Sequence, residues 1–295
     1  MIDQAVSVPR RESPLLHFIK GLALIRESWI GMIGLGIIVF WALVAIFADV
    51  LAPFPPNQPG LPLAPPGATA IDGAGVYLLG TDQLGRDTLS RIIHGSRLVL
   101  LYAPLATFCA YFVGIPMGLA AGYRRGLTDD VLSFIANVIL SFPVLVLYII
   151  IIATIGASGS NIVIAVTFAS APGVMRIVRG LVLDLRNREY VFAAETRGES
   201  AWRIMLVEIL PNARGPLIVD ACLRLGYVVI TIGTLGFLGL GLPPPDPDWG
   251  GMVSELRQFA IVDPMLAVFP CIAISSLVLG FNLLADGLRE VSLRD

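Results

Sequence analysis

Side chains able to do covalent or ionic chemistry are scarce in this chain of 295 residues, of which 56% are hydrophobic and 14% charged. The single lysine is Lys20, and no Gly-x4-Gly-Lys-Ser/Thr run occurs. The loop that cradles and helps cleave a nucleoside triphosphate is therefore missing. His17 and His94 lie far apart, with no cysteine or carboxylate cluster at ligand spacing, and no metal site is expected. Cys109, Cys222 and Cys271 fall in apolar runs and read as small buried hydrophobes, not as a disulfide framework. No Ser-His-Asp or Cys-His grouping can be assembled, which leaves a membrane hydrolase little support. What remains is ionic. Asp220 and Arg224 stand four residues apart in an apolar run, where ionisable groups face a bundle interior or a watery cavity. They form either an ion pair that satisfies itself or part of a path for a polar solute. Asp82, Arg86, Asp87 and Arg91 form a second group, with Asp87 and Arg91 spaced i,i+4. The third is the stretch 186–214, nine charged side chains between two apolar runs.

The elements that must position these groups are membrane helices. A mean hydropathy of +0.82 excludes an ordinary soluble globule, and a net charge of −2 gives nucleic acid no electrostatic footprint. About 20 apolar residues cross a bilayer as a helix. Six runs qualify, at roughly 29–51, 98–122, 132–155, 162–180, 215–240 and 265–285. The first is as long as a full span and is followed by a poor cleavage context, so it is expected to be retained. Pro172 and Gly173 lie in the middle of the short fourth run, where a kink or break is expected; Pro116, Pro143 and Pro270 lie in others. Arginine placement sets the orientation. With the N-terminus inside, 15 of the 20 Lys and Arg residues fall in inside segments, which decides for both termini in the cytoplasm. Gly114, Gly118 and Gly122 repeat every four residues, a stripe that packs helices closely, within the chain or against a partner subunit.

Within 186–214 the pattern is helix, turn, helix. A short helix can run from about Glu189 to Arg197, with Tyr190 and Val191 in its first turn and Ala193 and Ala194 leaving room for close contact. Gly198 can take the left-handed conformation that ends a helix, and Ser200 can cap the next. That second helix is expected to stop before Pro211, whose ring disfavours a helical Leu210. The segment resembles the EAA loop of bacterial ABC-importer permeases, the element that docks into a cleft of the ATPase. Ala193, Ala194, Gly198, Leu210 and Pro211 fit that pattern, while Phe192 and Glu208 stand where Glu and Ile are usual. The resemblance makes Glu189, Tyr190, Val191, Ala193, Ala194, Arg197, Gly198, Leu210 and Pro211 the ATPase-coupling residues.

Residues 52–97 form the largest external segment, with seven prolines between Pro53 and Pro66 making an extended strap. An interfacial helix is expected from Asp87, feeding the second span. The run Gly80-Thr81-Asp82, Gly85-Arg86-Asp87, Ser90-Arg91 resembles a signature of the C subunits of dipeptide, oligopeptide and nickel permeases. Two further matches are Leu235 to Gly241 with Asp248-Trp249-Gly250, and Phe281 to Arg289. Gly236 and Gly239 near the outer end of the fifth span suit either an external gate or plain close packing.

The resemblance implies an all-α integral membrane protein with the type I ABC importer fold, a five-helix core plus an extra N-terminal helix. It divides the chain into a cytoplasmic segment 1–28, a first helix with strap at 29–96, a permease core at 97–288 and a tail at 289–295. It further implies a multi-pass subunit of the bacterial inner membrane, paired with a homologous B permease. Two ABC ATPases, which would bind ATP and Mg, lie below, and an extracytoplasmic substrate-binding protein lies above. The chain itself needs no cofactor and is not an enzyme. Peptides are the leading solutes, with nickel, opines or glutathione as alternatives. A secondary transporter is the rival outside this class, but no internal repeat supports it.

Overall fold

The computed structural model describes residues 26, 28–70, 73, 75–259, 261 and 263–292, and for Val291 and Ser292 the backbone alone. The basic residues Arg10, Arg11 and Lys20, together with His17 and Arg294, lie outside the described residues. The elements in order are α1 (Trp29–Ile46), the short α2 (Ala48–Leu51), a two-residue hairpin of β1 (Ala68–Thr69) and β2 (Val76–Tyr77), then α3 (Thr88–Arg124). They continue with α4 (Leu127–Ser141), α5 (Val144–Ile155), α6 (Gly159–Leu185) and α7 (Glu189–Thr196). The long α8 (Ala201–Phe237), α9 (Trp249–Leu256) and α10 (Met265–Ser292) complete the chain. Five single helices (α1, α3, α6, α8 and α10) are long and apolar enough to cross a membrane, and α4 with α5 meets the same length only as a pair, bent by 89° at the break between them.

The break lies in the third span and not, as the sequence suggests, in the fourth. Phe142 precedes Pro143, and the proline ring pushes it out of the helical region to φ −79, ψ 140. Pro172, by contrast, sits inside a continuous α6. That helix is held along its length by α3. A Cβ added to Gly114, Gly118 or Gly122 would lie 2.6, 2.5 or 2.7 Å from the Cβ of Val174, Val178 or Val182. The glycine stripe is therefore a seam within the chain, and backbone packing of this closeness supports a continuous helix through Pro172.

Two other boundaries differ from expectation. The interfacial helix and the second span are one 37-residue helix, α3, capped by the Asp87 carboxylate, which accepts the Ser90 N–H at 2.8 Å. The second helix of the 186–214 stretch does not stop at Pro211 but runs into the fifth span. Residues Ile204–Ile209 form a π turn, with the Leu210 N–H bonded to the Met205 carbonyl. The wider turn carries the chain past Pro211, which has no N–H and whose ring would crowd a regular helix.

The core has two main parts. Near the strap, Trp41, Ile92, Trp249 and Leu277 pack from four different helices, and the Trp249 indole N–H donates to the Ile92 carbonyl at 2.9 Å. At the opposite end, Leu119, Val178, Val182, Ile204 and Met205 pack beneath α7.

Candidate functional site

Three groups of residues identified in the sequence occupy three levels of the bundle. At one end lies the 186–214 turn. α7 ends on Gly198 at φ +74. The Gly198 N–H bonds the Glu195 carbonyl at 2.9 Å and the Glu199 N–H bonds the Ala194 carbonyl at 3.2 Å, the paired bonds of a glycine-terminated helix. Ser200 then accepts the Arg203 N–H and starts α8. Val191 and Ala194 are fully buried against Ile204, Met205 and Ile209, and Tyr190 packs half-buried beside them. Glu189, Phe192, Ala193 and Arg197 face outward, as do Trp202 and Leu206. Of the two alanines, then, Ala194 serves the chain's own packing, and Ala193 lies on the open face. Arg197 reaches Glu199 at 2.9 Å, and Arg203 reaches the same carboxylate at 3.2 Å. The neighbouring Arg197 hydrogen bond holds Glu199 below the usual carboxylate range. Leu210 and Pro211 line an apolar groove of about 370 Å³, with Tyr111 and Leu217 among its other walls.

Midway along α8 is the second group. Arg224 donates from Nε to Asp220 Oδ2 at 2.7 Å, and the Tyr111 hydroxyl of α3 donates to the same oxygen. Arg224 also borders a cavity of about 220 Å³ between α3, α6, α8 and the elbow of α4 and α5. Sequence spacing identified the pair but not Tyr111, which is 109 residues away. The Pro172-Gly173 pair was the available signal for the cavity. Its glycine does not break α6 but clears room for the guanidinium, since a Cβ there would lie 3.2 Å from Arg224 Nη1.

The third group closes the opposite end. Asp82 Oδ1 accepts the N–H groups of Leu84 and Arg86, each at 2.9 Å, and Oδ2 accepts Arg86 Nε at 2.6 Å. Arg86 Nη2 continues to Glu255 on α9 at 2.7 Å. The sequence suggests a pair between Asp87 and Arg91, but Asp87 is spent on capping α3. Arg91 instead lies 3.7 Å from Asp82 and bonds Asn57 Oδ1 of the strap at 3.1 Å. The strap is zipped to this motif: Leu63 N–H to the Asp82 carbonyl, Thr81 N–H to the Ala64 carbonyl, and Phe54 N–H to Ser90 Oγ. Glu255 and Asn57 lie 169 and 34 residues from their partners, and no local spacing marks them.

Gly236 and Gly239 belong to this end too. A Cβ on Gly236 would lie 2.1 Å from Asp248 Oδ2, so Gly236 gives the room into which the Asp248 carboxylate fits. Gly239, at φ +78, ends α8 with the same pair of bonds as Gly198. Asp248 caps α9 through the N–H groups of Gly250 and Gly251. Burial pushes its carboxyl up to about 6, against the opposing pull of those two bonds. Among the described residues no group of three or more His, Cys, Asp and Glu could hold a metal.

Residues 114–294 match the family of inner membrane components of binding-protein-dependent transport systems. Residues 25–66 match the N-terminal transmembrane domain of oligopeptide transport permease C. The dipeptide transport system permease protein DppC of Escherichia coli K12 is 38% identical over 290 residues, 98% of this chain and 95% of that one. The Haemophilus influenzae protein of the same name is 37% identical, with 88% of each chain covered. The glutathione transport system permease protein GsiD of Pectobacterium atrosepticum is 39% identical over 72% of this chain and 71% of its own. Among solved structures, an inward-facing MetNI methionine ABC transporter chain superimposes with a TM-score of 0.58 at 19% identity. The superposition covers 68% of this chain and 96% of that one, and it shows a shared fold.

Proposed function

The chain belongs to the permease family of binding-protein-dependent ABC importers, for peptides or related solutes, and from that premise we propose how it works. It forms half of a translocation path, paired with a homologous permease, and takes up peptides delivered by an extracytoplasmic binding protein. DppC and GsiD are named for dipeptide and glutathione transport; the Escherichia coli DppC matches 98% of this chain and the Pectobacterium GsiD 72%. ATP and Mg act in two partner ATPases, and this subunit carries out no covalent step. Both termini and the 186–214 turn lie in the cytoplasm, following the arginine bias, and the strap and α9 lie outside.

The observation that carries this reading is the build of the turn. α7 spends Val191 and Ala194 on its own packing and leaves Phe192 and Ala193 exposed, and the first turns of α8 leave Trp202 and Leu206 exposed beside them. A large apolar side chain, Phe192, exposed on a short helix pinned by a glycine stop suits a protein partner. From that turn α8 continues unbroken past Arg224 to the strap end, 37 residues or about 55 Å at 1.5 Å per residue. ATP-driven closure of the ATPases would move α7 and the base of α8, and so the path wall.

Co-expression with the partner subunits should give a complex that retains two ATPases through purification and accumulates peptide in proteoliposomes only with ATP. Uptake that outlasts ATP depletion and follows the proton gradient would sink the proposal. Cysteines near Asn57 and Pro245 should react with an impermeant reagent from outside, and those near Arg125 and Arg188 should not.

A further inference from the structure

The cavity beside the α4–α5 elbow has a single ionic wall. Of the side chains that line it, only Arg224 is charged, and Tyr148, Ser170 and Tyr227 add hydroxyls. Its counter-charge, Asp220, does not line the cavity. The Asp220 carboxylate holds Arg224 through Nε at 2.7 Å and is itself held by the Tyr111 hydroxyl. The guanidinium is thus gripped along one edge, and Nη1 and Nη2 lie toward Gly173. A Cβ at that glycine would sit 3.2 and 3.3 Å from them, so the bare glycine leaves the fork uncrowded. A planar fork fixed at one edge suits a carboxylate, whose two oxygens match paired N–H donors.

A second feature of the same cavity points to the same charge. α5 starts at the elbow with no side chain capping Pro143, and Leu140 and Val144, on either side of the elbow, both line the cavity. The open start of a helix carries partial positive charge, and interrupted helices at membrane depth are tolerated where they line a cavity or are buried in protein. No carboxylate lines the cavity to compete for the fork. Its roughly 220 Å³ corresponds to about seven waters at their liquid volume, room for a carboxylate and the groups next to it.

We infer that Arg224 reads the carboxylate of the passing solute, as at the free C-terminal end of a short peptide, with Asp220 and Gly173 as positioning residues. The inference rests on the reading above that this bundle lines a peptide path.

The test uses the complete transporter in proteoliposomes, with its binding protein, and two probes, alanyl-alanine and its C-terminal amide. Both probes meet the same binding protein in every variant, so the change in their uptake ratio isolates the permease. Arg224→Gln should lower uptake of the free acid by about tenfold, the loss expected for one charge-assisted contact, and change amide uptake by less than about twofold. Arg224→Lys should recover part of the acid uptake. Gly173→Ala, which crowds the fork without removing charge, should lower the acid-to-amide ratio in the same direction. ATP hydrolysis stimulated by the binding protein reports that each complex is assembled and coupled. Equal loss of both probes in Arg224→Gln, or full acid uptake, overturns the assignment of Arg224 and leaves the transport reading intact. Failure of the wild-type complex to accumulate either probe with ATP overturns the transport reading and this inference with it.

Discussion

Arginine and carboxylate meet at both ends of the molecule, in opposite surroundings. At the strap end Asp82, Arg86 and Arg91 are 2%, 6% and 2% exposed. At the 186–214 turn the side chains of Arg197 and Arg203 are 57% and 64% exposed around a shared Glu199 that is 15% exposed. A buried charge must find its partners within the chain, and removing one partner strands the other. An exposed pair is screened by water and contributes little to stability. The strap end is therefore where ionic groups fix structure. At the turn the fixing is done by a left-handed glycine and an apolar underside, and Trp202 on the outer face stacks against Arg124, 5.4 Å from the ring centre.

The contrast can be broken by mutation. The largest loss should follow Arg86→Leu, which takes from Asp82 its 2.6 Å partner, leaving it Arg91 at 3.7 Å, and takes the guanidinium from Glu255; a loss of about 3 kcal/mol is expected, the low end for half of a buried pair. Thermal unfolding of the purified subunit in detergent measures it, and the double variant Arg197→Ala with Arg203→Ala in the same assay should be nearly neutral. A comparable loss at the turn would erase the distinction. Next is the seam between α3 and α6. Gly118→Val places atoms within 2.5–2.8 Å of Val178 and the Met175 carbonyl and should cost about 1–3 kcal/mol by overpacking.

Asp248 sharpens the strap side through pH. Its folded-state value, about 6, is raised from an ordinary 3.8, so the native state holds a proton that the unfolded chain has released. The stabilisation is complete below about pH 4 and is lost as pH rises through 6, with a slope no steeper than about 1.4 kcal/mol per pH unit. Asp248→Asn should flatten that part of the stability profile; an unchanged slope would show that another group titrates there.

Smallest in stability, though not in function, is Gly198→Ala. A Cβ at Gly198 meets nothing within 4 Å, but φ is +74, so the cost is backbone strain of about 1 kcal/mol. The subunit should melt close to wild type while binding-protein-stimulated ATP hydrolysis falls severalfold. Full coupling in a stable Gly198→Trp variant would remove the turn from the mechanism.

The local features were legible in the sequence, and the distant ones were not. Apolar run length located the spans, and Gly198, Ser200 and the 114–118–122 stripe could be read because each acts on its immediate neighbours. The break came at Pro143 and not at Pro172, for one reason. Whether a proline breaks a helix depends on what packs beside it, and α6 has α3 along its length while Phe142 yields to Pro143. Pro211 was misjudged because a π turn absorbs it, and nothing in the local spacing marks such a turn. At the strap end the i,i+4 spacing of Asp87 and Arg91 suggested a pair. The cap of α3 took Asp87 first, and the strap supplied Arg91 with Asn57.

The tie from Arg86 to Glu255 also has a consequence for how the chain is made. Ribosomes deliver α1 first, then the strap and residues 79–91, and at that moment Arg86 has Asp82 but not its second carboxylate. Glu255 emerges 169 residues later, after α3 through α8 have been threaded into the bilayer. The strap is closed off only when α9 returns to the same side of the membrane. A chain that inserts with one span missing puts α9 on the wrong side and leaves Arg86 without Glu255. The strap end is therefore completed late, because the Arg86–Glu255 pair can close only once the chain has grown the 169 residues from one to the other.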